Sequence, residues 1–150
     1  MAEVAEGLVV RPMDTKDLED IVIIDRKVLG EERREYWVGK IIGEARARPE
    51  DASLVAEIDG KVVGFILGGV SGWEFKVPNN VGWIDTIGVD PDYQHRGIAK
   101  ALLKQLITNL KKYGVDTIYT LVNWDDWDLL QFFRAMGFTR GDMINLMLKV

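Results

Sequence analysis

Gln94-His95-Arg96-Gly97-Ile98-Ala99 is the stretch that decides how this chain folds. Before it, the run Val81 to Val89 reads as a strand, and Asp90-Pro91 stops it. After it, Ile98, Leu102, Leu103, Leu106, Leu110 and Tyr113 share one face of a helix expected from Gly97 to Tyr113, with Gly114 as its C-cap. The fragment is therefore a strand-to-helix turn. Backbone N–H groups at a helix start lack intrahelical partners, and the helix dipole adds positive potential there. Such a turn holds an anion, a pyrophosphate for instance, without a lysine. Gly97 lets the backbone approach a phosphate, and Ala99 is small enough for close packing of helix on strand. Arg96 and Lys100 add charge at the rim. The fragment has neither the Gly-Lys-Ser/Thr of a Walker loop nor the three glycines of a dinucleotide turn. Taken alone it fits an ordinary loop before an ordinary helix as well, and its surroundings have to decide.

Towards the N-terminus, Leu8 to Arg11 is a short apolar run stopped by Pro12, as in a first strand. Asp14 or Thr15 offers a helix N-cap, with Asp17 and Asp20 near the positive end of that helix. Leu18, Ile21, Val22, Asp25, Val28 and Leu29 follow a helical spacing that Gly30 ends. A second helix is expected from Glu32 to Arg46, carrying Tyr36, Trp37, Ile41 and Ile42, and Pro49 closes that region. Leu54 to Ile58 and Val62 to Val70 form a hairpin around Asp59-Gly60. Gly64, Gly68 and Gly69 in the second of these strands mark bulges or close backbone approaches. Ser71 to Asn80 reads as a loop. Beyond the long helix, Thr117 to Val122 is β-rich, and Asp125 or Asp126 caps a helix running to Met136 with Gly137 at its end. Met143 to Val150 closes the chain as a strand. The order βααβββαβαβ gives a mixed α/β sheet covered by helices.

Composition narrows the function classes. At 150 residues without repeats or long linkers, residues 1–150 are expected to form one domain. A net charge of −5 argues against a nucleic-acid surface. With no cysteine there is no disulfide, thiolate metal site or cysteine nucleophile. One histidine is too few for a histidine metal site, so no metal is expected. The longest apolar run, Val62 to Val70, is broken by glycines and far too short to cross a bilayer. Met1 to Gly7 is acidic, with no basic region leading into an apolar stretch, so the expected location is the cytoplasm, off the membrane.

With these residues in view, the stretch from Trp83 through Phe138 resembles the GCN5-related N-acetyltransferase (GNAT) superfamily. That family carries Gln/Arg-x-x-Gly-x-Gly/Ala after its fourth strand, matched here by Gln94, Gly97 and Ala99. Ile87-Gly88-Val89-Asp90-Pro91 looks like the family's strand end, and Phe132 to Phe138 looks like its last helix and Gly-Phe corner. The resemblance implies the acyl-CoA N-acyltransferase fold, a mixed and mostly antiparallel sheet of six or seven strands with helices on both faces. It also implies acetyl-CoA as acyl donor, bound where two neighbouring strands splay. The amides of His95, Arg96, Gly97, Ile98, Ala99 and Lys100, in the turn that Gln94 opens, would hold the pyrophosphate. The backbone of Ile87, Gly88 and Val89 would pair with pantetheine, and the Ile87 N–H would stabilise the developing oxyanion. The implied acceptor is a primary amine, on a small molecule or a protein, attacked directly in a ternary complex. A non-catalytic acyl-CoA-binding or regulatory module is the alternative. Exposed edge strands of such a sheet are compatible with a homodimer.

Several positions depart from the family pattern. A tyrosine four residues before the Gly-Phe corner often protonates the leaving thiolate; Phe133 stands there and is expected to pack under the cofactor. Tyr119 and Tyr36 are other phenols in the chain. Asp126 occupies the place of an asparagine that contacts the cofactor in many members. Asp85 lies two residues before Ile87, so strict alternation would put both side chains on one sheet face. That makes Asp85 the candidate base or amine ligand, against the plainer reading of a solvated carboxylate at a strand end. His95 is expected to serve through its backbone rather than its ring. Asn123-Trp124-Asp125-Asp126-Trp127-Asp128 is read as a carboxylate-capped helix start beside two packing tryptophans, with a cation-recognising wall as the alternative. Trp73 and Trp83 are expected in the core. Gly30 to Glu35 is read as a solvated helix start, in a loop that often borders the acceptor in this family.

Overall fold

Asp59 and Gly60 take φ values of 51° and 81°, the left-handed pair that a two-residue hairpin turn demands. They join β2 (Ser53–Ile58) to β3 (Lys61–Val70) in a computed structural model that describes residues 5–43 and 49–150. The chain divides into two compact units, Met1–Thr120 and Leu121–Val150. In the first, β1 (Leu8–Pro12) pairs antiparallel with β2, and β3 pairs antiparallel with β4 (Val81–Val89). β5 (Thr117–Thr120) lies parallel to β4, so the sheet runs β1-β2-β3-β4-β5.

Helices cover both faces. On one, α1 (Leu18–Leu29) and α2 (Arg34–Val38) bury Ile21, Val22, Ile24 and Trp37 against Val55, Val62, Phe65 and Leu67. On the other, α3 (Ile98–Lys111) buries Ile98, Leu102, Leu103, Leu106 and Leu110. Full burial of such side chains contributes about 1.5–3 kcal/mol each before chain entropy is charged against it. α3 lies close because the strands beneath it carry glycine. A Cβ on Gly68 would come within 2.9 Å of Leu106, and one on Gly82 within 2.8 Å of Leu110. Close approach, one of the two expected reasons, thus explains Gly64 and Gly68.

Four expectations are corrected. The sheet has five strands among the described residues, not six or seven. Met143 to Val150 forms no strand, and Ile144, Leu146, Met147 and Leu148 are all more than three-quarters exposed. Its apolar, β-prone composition is not sufficient, because a strand exists only through pairing. β5 stops at Thr120 rather than Val122. The second helix is only Arg34–Val38, extended by a wider π-type turn over Gly39–Gly43; its expected end at Arg46 lies outside the described residues.

The second unit holds α4 (Trp127–Ala135). The Asp126 carboxylate caps it by accepting from the Leu129 N–H at 3.1 Å, and Gly137 leaves it at φ 95°.

Candidate active site

β4 supplies the first half of the site through a register break. Leu67 pairs with Thr86 but Gly68 pairs with Ile84, which leaves Asp85 as the extra residue of a bulge. The bulge inverts which side chains face which helix. Gly82 looks towards Leu110 of α3, whereas a Cβ on Gly88 would strike Phe65 on the α1 side. Strict alternation therefore fails across Asp85, and two-residue spacing no longer places Asp85 and Ile87 on one face. Asp85 is exposed.

The backbone directions follow from one bond. Asp90 N–H donates to the Val63 carbonyl at 2.8 Å, while Gly64 and Val89 stand opposite each other. Val89 is thus in a non-hydrogen-bonded pair with β3. Across the unbroken register Gly88↔Phe65 and Ile87↔Ile66, the same holds for Ile87. The N–H and C=O groups of Ile87 and Val89 point away from β3, while those of Gly88 belong to the ladder. On the outward side β5 accompanies β4 only from Val81 to Ile84, where Thr120 Oγ1 donates to the Ile84 carbonyl at 3.0 Å. Beyond Ile84 that edge of β4 has no strand beside it among the described residues. Gln94 Nε2 donates to the Val89 carbonyl at 3.3 Å, which fastens the following turn to the end of this edge.

The turn is the second half. Asp90 is buried, accepts from the Asp92 N–H at 3.0 Å and pairs with Lys27 at 3.3 Å, which sets the 3₁₀ turn Pro91–Tyr93. His95 is exposed with φ 64°, and Gly97 is the N-cap of α3 with φ 76°. Ala101 N–H reaches the Gly97 carbonyl at 3.0 Å, so the amides of Ile98, Ala99 and Lys100 are the first of the helix. No side chain caps them, and the first turn carries no acidic residue. Arg96 lies 5.1 Å and Lys61 5.2 Å from the centre of the Tyr93 ring, so two cations border the turn. This arrangement fits an anionic ligand with an extended, amide-bearing arm: phosphates at the α3 start, the arm along β4.

On the α1 side lies a feature that the sequence reading missed. Asp25 is 3% exposed. It accepts from Arg33 Nε at 2.6 Å, Arg33 Nη2 at 2.9 Å and Trp37 Nε1 at 2.9 Å. Arg33 Nη2 also donates to Thr86 Oγ1 at 3.0 Å, and its guanidinium lies 4.5 Å from the centre of the Tyr36 ring. Hydrogen bonding to Asp25 pushes the Arg33 guanidinium above its ordinary pKa, despite the opposing effect of burial. The signal was present, since Asp25 sits in the apolar stripe with Ile21 and Val22, and a carboxylate there requires a cation.

In the second unit, Phe133 is buried with its ring centre 5.3 Å from Phe132 and 4.9 Å from Phe138. Asn123, Asp125, Asp126, Trp127 and Asp128 line an open depression of about 440 Å³. The tryptophans there do not pack as expected: Trp124 is 86% and Trp127 75% exposed. Trp73, expected in the core, is 61% exposed at φ 75°. Trp83 is half-buried against Tyr119, with ring centres 5.3 Å apart. Among the described residues no group of three or more potential metal ligands occurs, and no helix is long and apolar enough to cross a membrane.

Known proteins share both the sequence pattern and the architecture. An uncharacterized N-acetyltransferase of Methanocaldococcus jannaschii is 30% identical over 112 residues, 75% of this chain and 50% of the relative. The chain thus spans about half the length of that curated relative. Ard1 from Thermoplasma volcanium superposes with a TM-score of 0.77 at 21% identity, over 91% of this chain and 85% of the other. The aminoglycoside acetyltransferase AAC(6′)-Iy, solved with the bisubstrate analogue CoA-S-monomethyl-acetylneamine, gives 0.77 at 18% identity over 95% and 98%. Residues 17–138 match the acetyltransferase (GNAT) family, and the chain belongs to that family.

Proposed function

We propose that residues 1–150 act as one N-acetyltransferase domain that moves acetyl from acetyl-CoA to a primary amine. The observation that carries this is the pair of outward backbone groups on Ile87 and Val89 beside the uncapped start of α3. The amides of Gly97 to Lys100, with His95 and Arg96, hold the pyrophosphate. Ile87 and Val89 pair with the pantetheine amides as an added strand would. Gly88 contributes by lacking a side chain, since a Cβ there would meet Phe65 at 2.6 Å. Within the second unit, Phe133 serves as apolar packing beside Phe132 and Phe138, and Asp126 caps the start of α4.

The chemistry is direct attack. The neutral amine adds to the thioester carbonyl, and the Ile87 N–H stabilises the charge growing on oxygen. Such donors are worth about 2.7–4 kcal/mol in a dry site. The C–S bond then breaks with departure of a thiolate, a good enough leaving group that Phe133 need not be a proton donor. Asp85 receives the ammonium proton, directly or through water, or holds the cationic acceptor. Without cysteine no acyl-cysteine intermediate forms.

The test is thiol release from acetyl-CoA across a panel of peptides, polyamines, amino acids and amino sugars. Turnover with any amine supports the proposal. Acetyl-CoA binding with no turnover on the whole panel favours the acyl-CoA-binding module, consistent with Phe133. No binding at all rejects both.

A further inference from the structure

We infer that Arg33 is a positioning residue for the Ile87 amide, acting from the buried Asp25 through the Thr86 hydroxyl. This rests on the proposed role of the Ile87 N–H and adds the element that fixes it. Among the described residues β4 has a strand on one side only from Asp85 onward, and the break in register falls immediately before Thr86. A ladder with a bulge and one open edge leaves its next amide freer than a paired strand would. Two side-chain bonds bracket the free segment. At its far end Gln94 holds the Val89 carbonyl, and at its near end Arg33 holds Thr86.

Arg33 suits this task because it is itself immobilised. Two of its nitrogens are committed to a carboxylate that Trp37 also holds, and the guanidinium lies against Tyr36. A planar, bidentate donor fixed in this way places its remaining contact within a narrow arc. Arg33, within the Gly30 to Glu35 run expected to be a solvated helix start, is thereby tied to β4 one residue before the proposed oxyanion donor.

Removing Arg33 would strand Asp25 in the core and unfold more than it tests. The informative changes are therefore at Thr86. Thr86→Val keeps the shape and deletes the acceptor, and Thr86→Ser restores the hydroxyl. The expected result is that Thr86→Val lowers kcat by about tenfold, with KM for acetyl-CoA within about twofold of wild type, and that Thr86→Ser recovers most of the loss. Independently of turnover, the amide resonance of Ile87 should respond differently to acetyl-CoA in Thr86→Val, while Ile98 to Lys100 respond as in wild type. Unchanged kcat and an unchanged Ile87 response would overturn the inference, as would a loss that serine does not rescue. If the wild-type protein releases no thiol with any amine, acetyl transfer is what fails; the Ile87 response still decides the clamp.

Discussion

Gly88→Ala adds one methyl group and tests how β4 is seated. The new Cβ would lie 2.6 Å from Phe65 Cζ and 3.0 Å from Cε2. Carbon atoms in contact settle at about 3.5–4.0 Å, so ring and strand must part by roughly 1 Å. Phe65 has little room to yield, being 1% exposed with its ring centre 4.8 Å from that of Trp37. The open-edged strand is the softer partner and is expected to move. Overpacking of this kind costs about 1–3 kcal/mol. At about 2–4 °C per kcal/mol for a chain of this size, Tm should fall by about 2–12 °C. A misplacement of about 1 Å costs on the order of a hundredfold in turnover, because it carries the neighbouring Ile87 amide with it. Thermal unfolding and steady-state kinetics check the two halves, and Phe65→Leu in the same background should restore both in part, a coupling that a double-mutant cycle reads. A Tm drop with unchanged kcat would show that Phe65 yields rather than β4, and would refute the link between this packing and the amide.

Other outcomes follow from the same geometry. Gly97→Ala places a side chain at φ 76°, which costs about 1–2 kcal/mol of stability. It should also weaken CoA binding by one to two orders of magnitude, from losing contacts worth about 1.5–3 kcal/mol to a charged group; calorimetric titration measures this. Asp126→Ala removes the α4 N-cap and should cost about 0.5–2 kcal/mol, with Asp126→Asn restoring it, as read by denaturant unfolding. Asp17 is buried, which alone would raise its carboxyl, but bonds from Arg11 at 2.8 Å and from the Asp14 N–H hold it below the ordinary value of 3.8. A lowered folded-state pKa adds stability that is full above the unfolded value and lost as pH falls through the folded one. Acid unfolding should therefore steepen below about pH 4, and Asp17→Asn should flatten that limb while lowering stability at pH 7.

Local rules reached far in this chain where the cause is local. Asp59-Gly60, Gly30, Gly114 and Gly137 each take the positive φ that the turn and cap readings require. The helical stripe from Ile98 to Leu110 is buried as its spacing demands. What could not be read depends on pairing between distant segments. The bulge at Asp85 arises from the register of β3 on β4, so alternation along β4 alone does not determine the faces of Asp85 and Ile87. The Arg33 clamp joins residues 25, 33 and 86, and only the fold brings them together. The exposure of Trp124, Trp127 and Trp73 went unforeseen because residue type sets a tendency to be buried, not a place. The C-terminal run Met143 to Val150 is β-prone in composition but pairs with no strand among the described residues.

The most direct measurement is amide-resolved NMR of the protein titrated with CoA. The outward groups of β4 and the start of α3 should change together: Ile87, Val89 and Gly97 to Lys100 shift and become protected from exchange. Gly88, already bonded to β3, stays protected throughout. CoA binding that leaves Ile87 and Val89 untouched would contradict the proposed site.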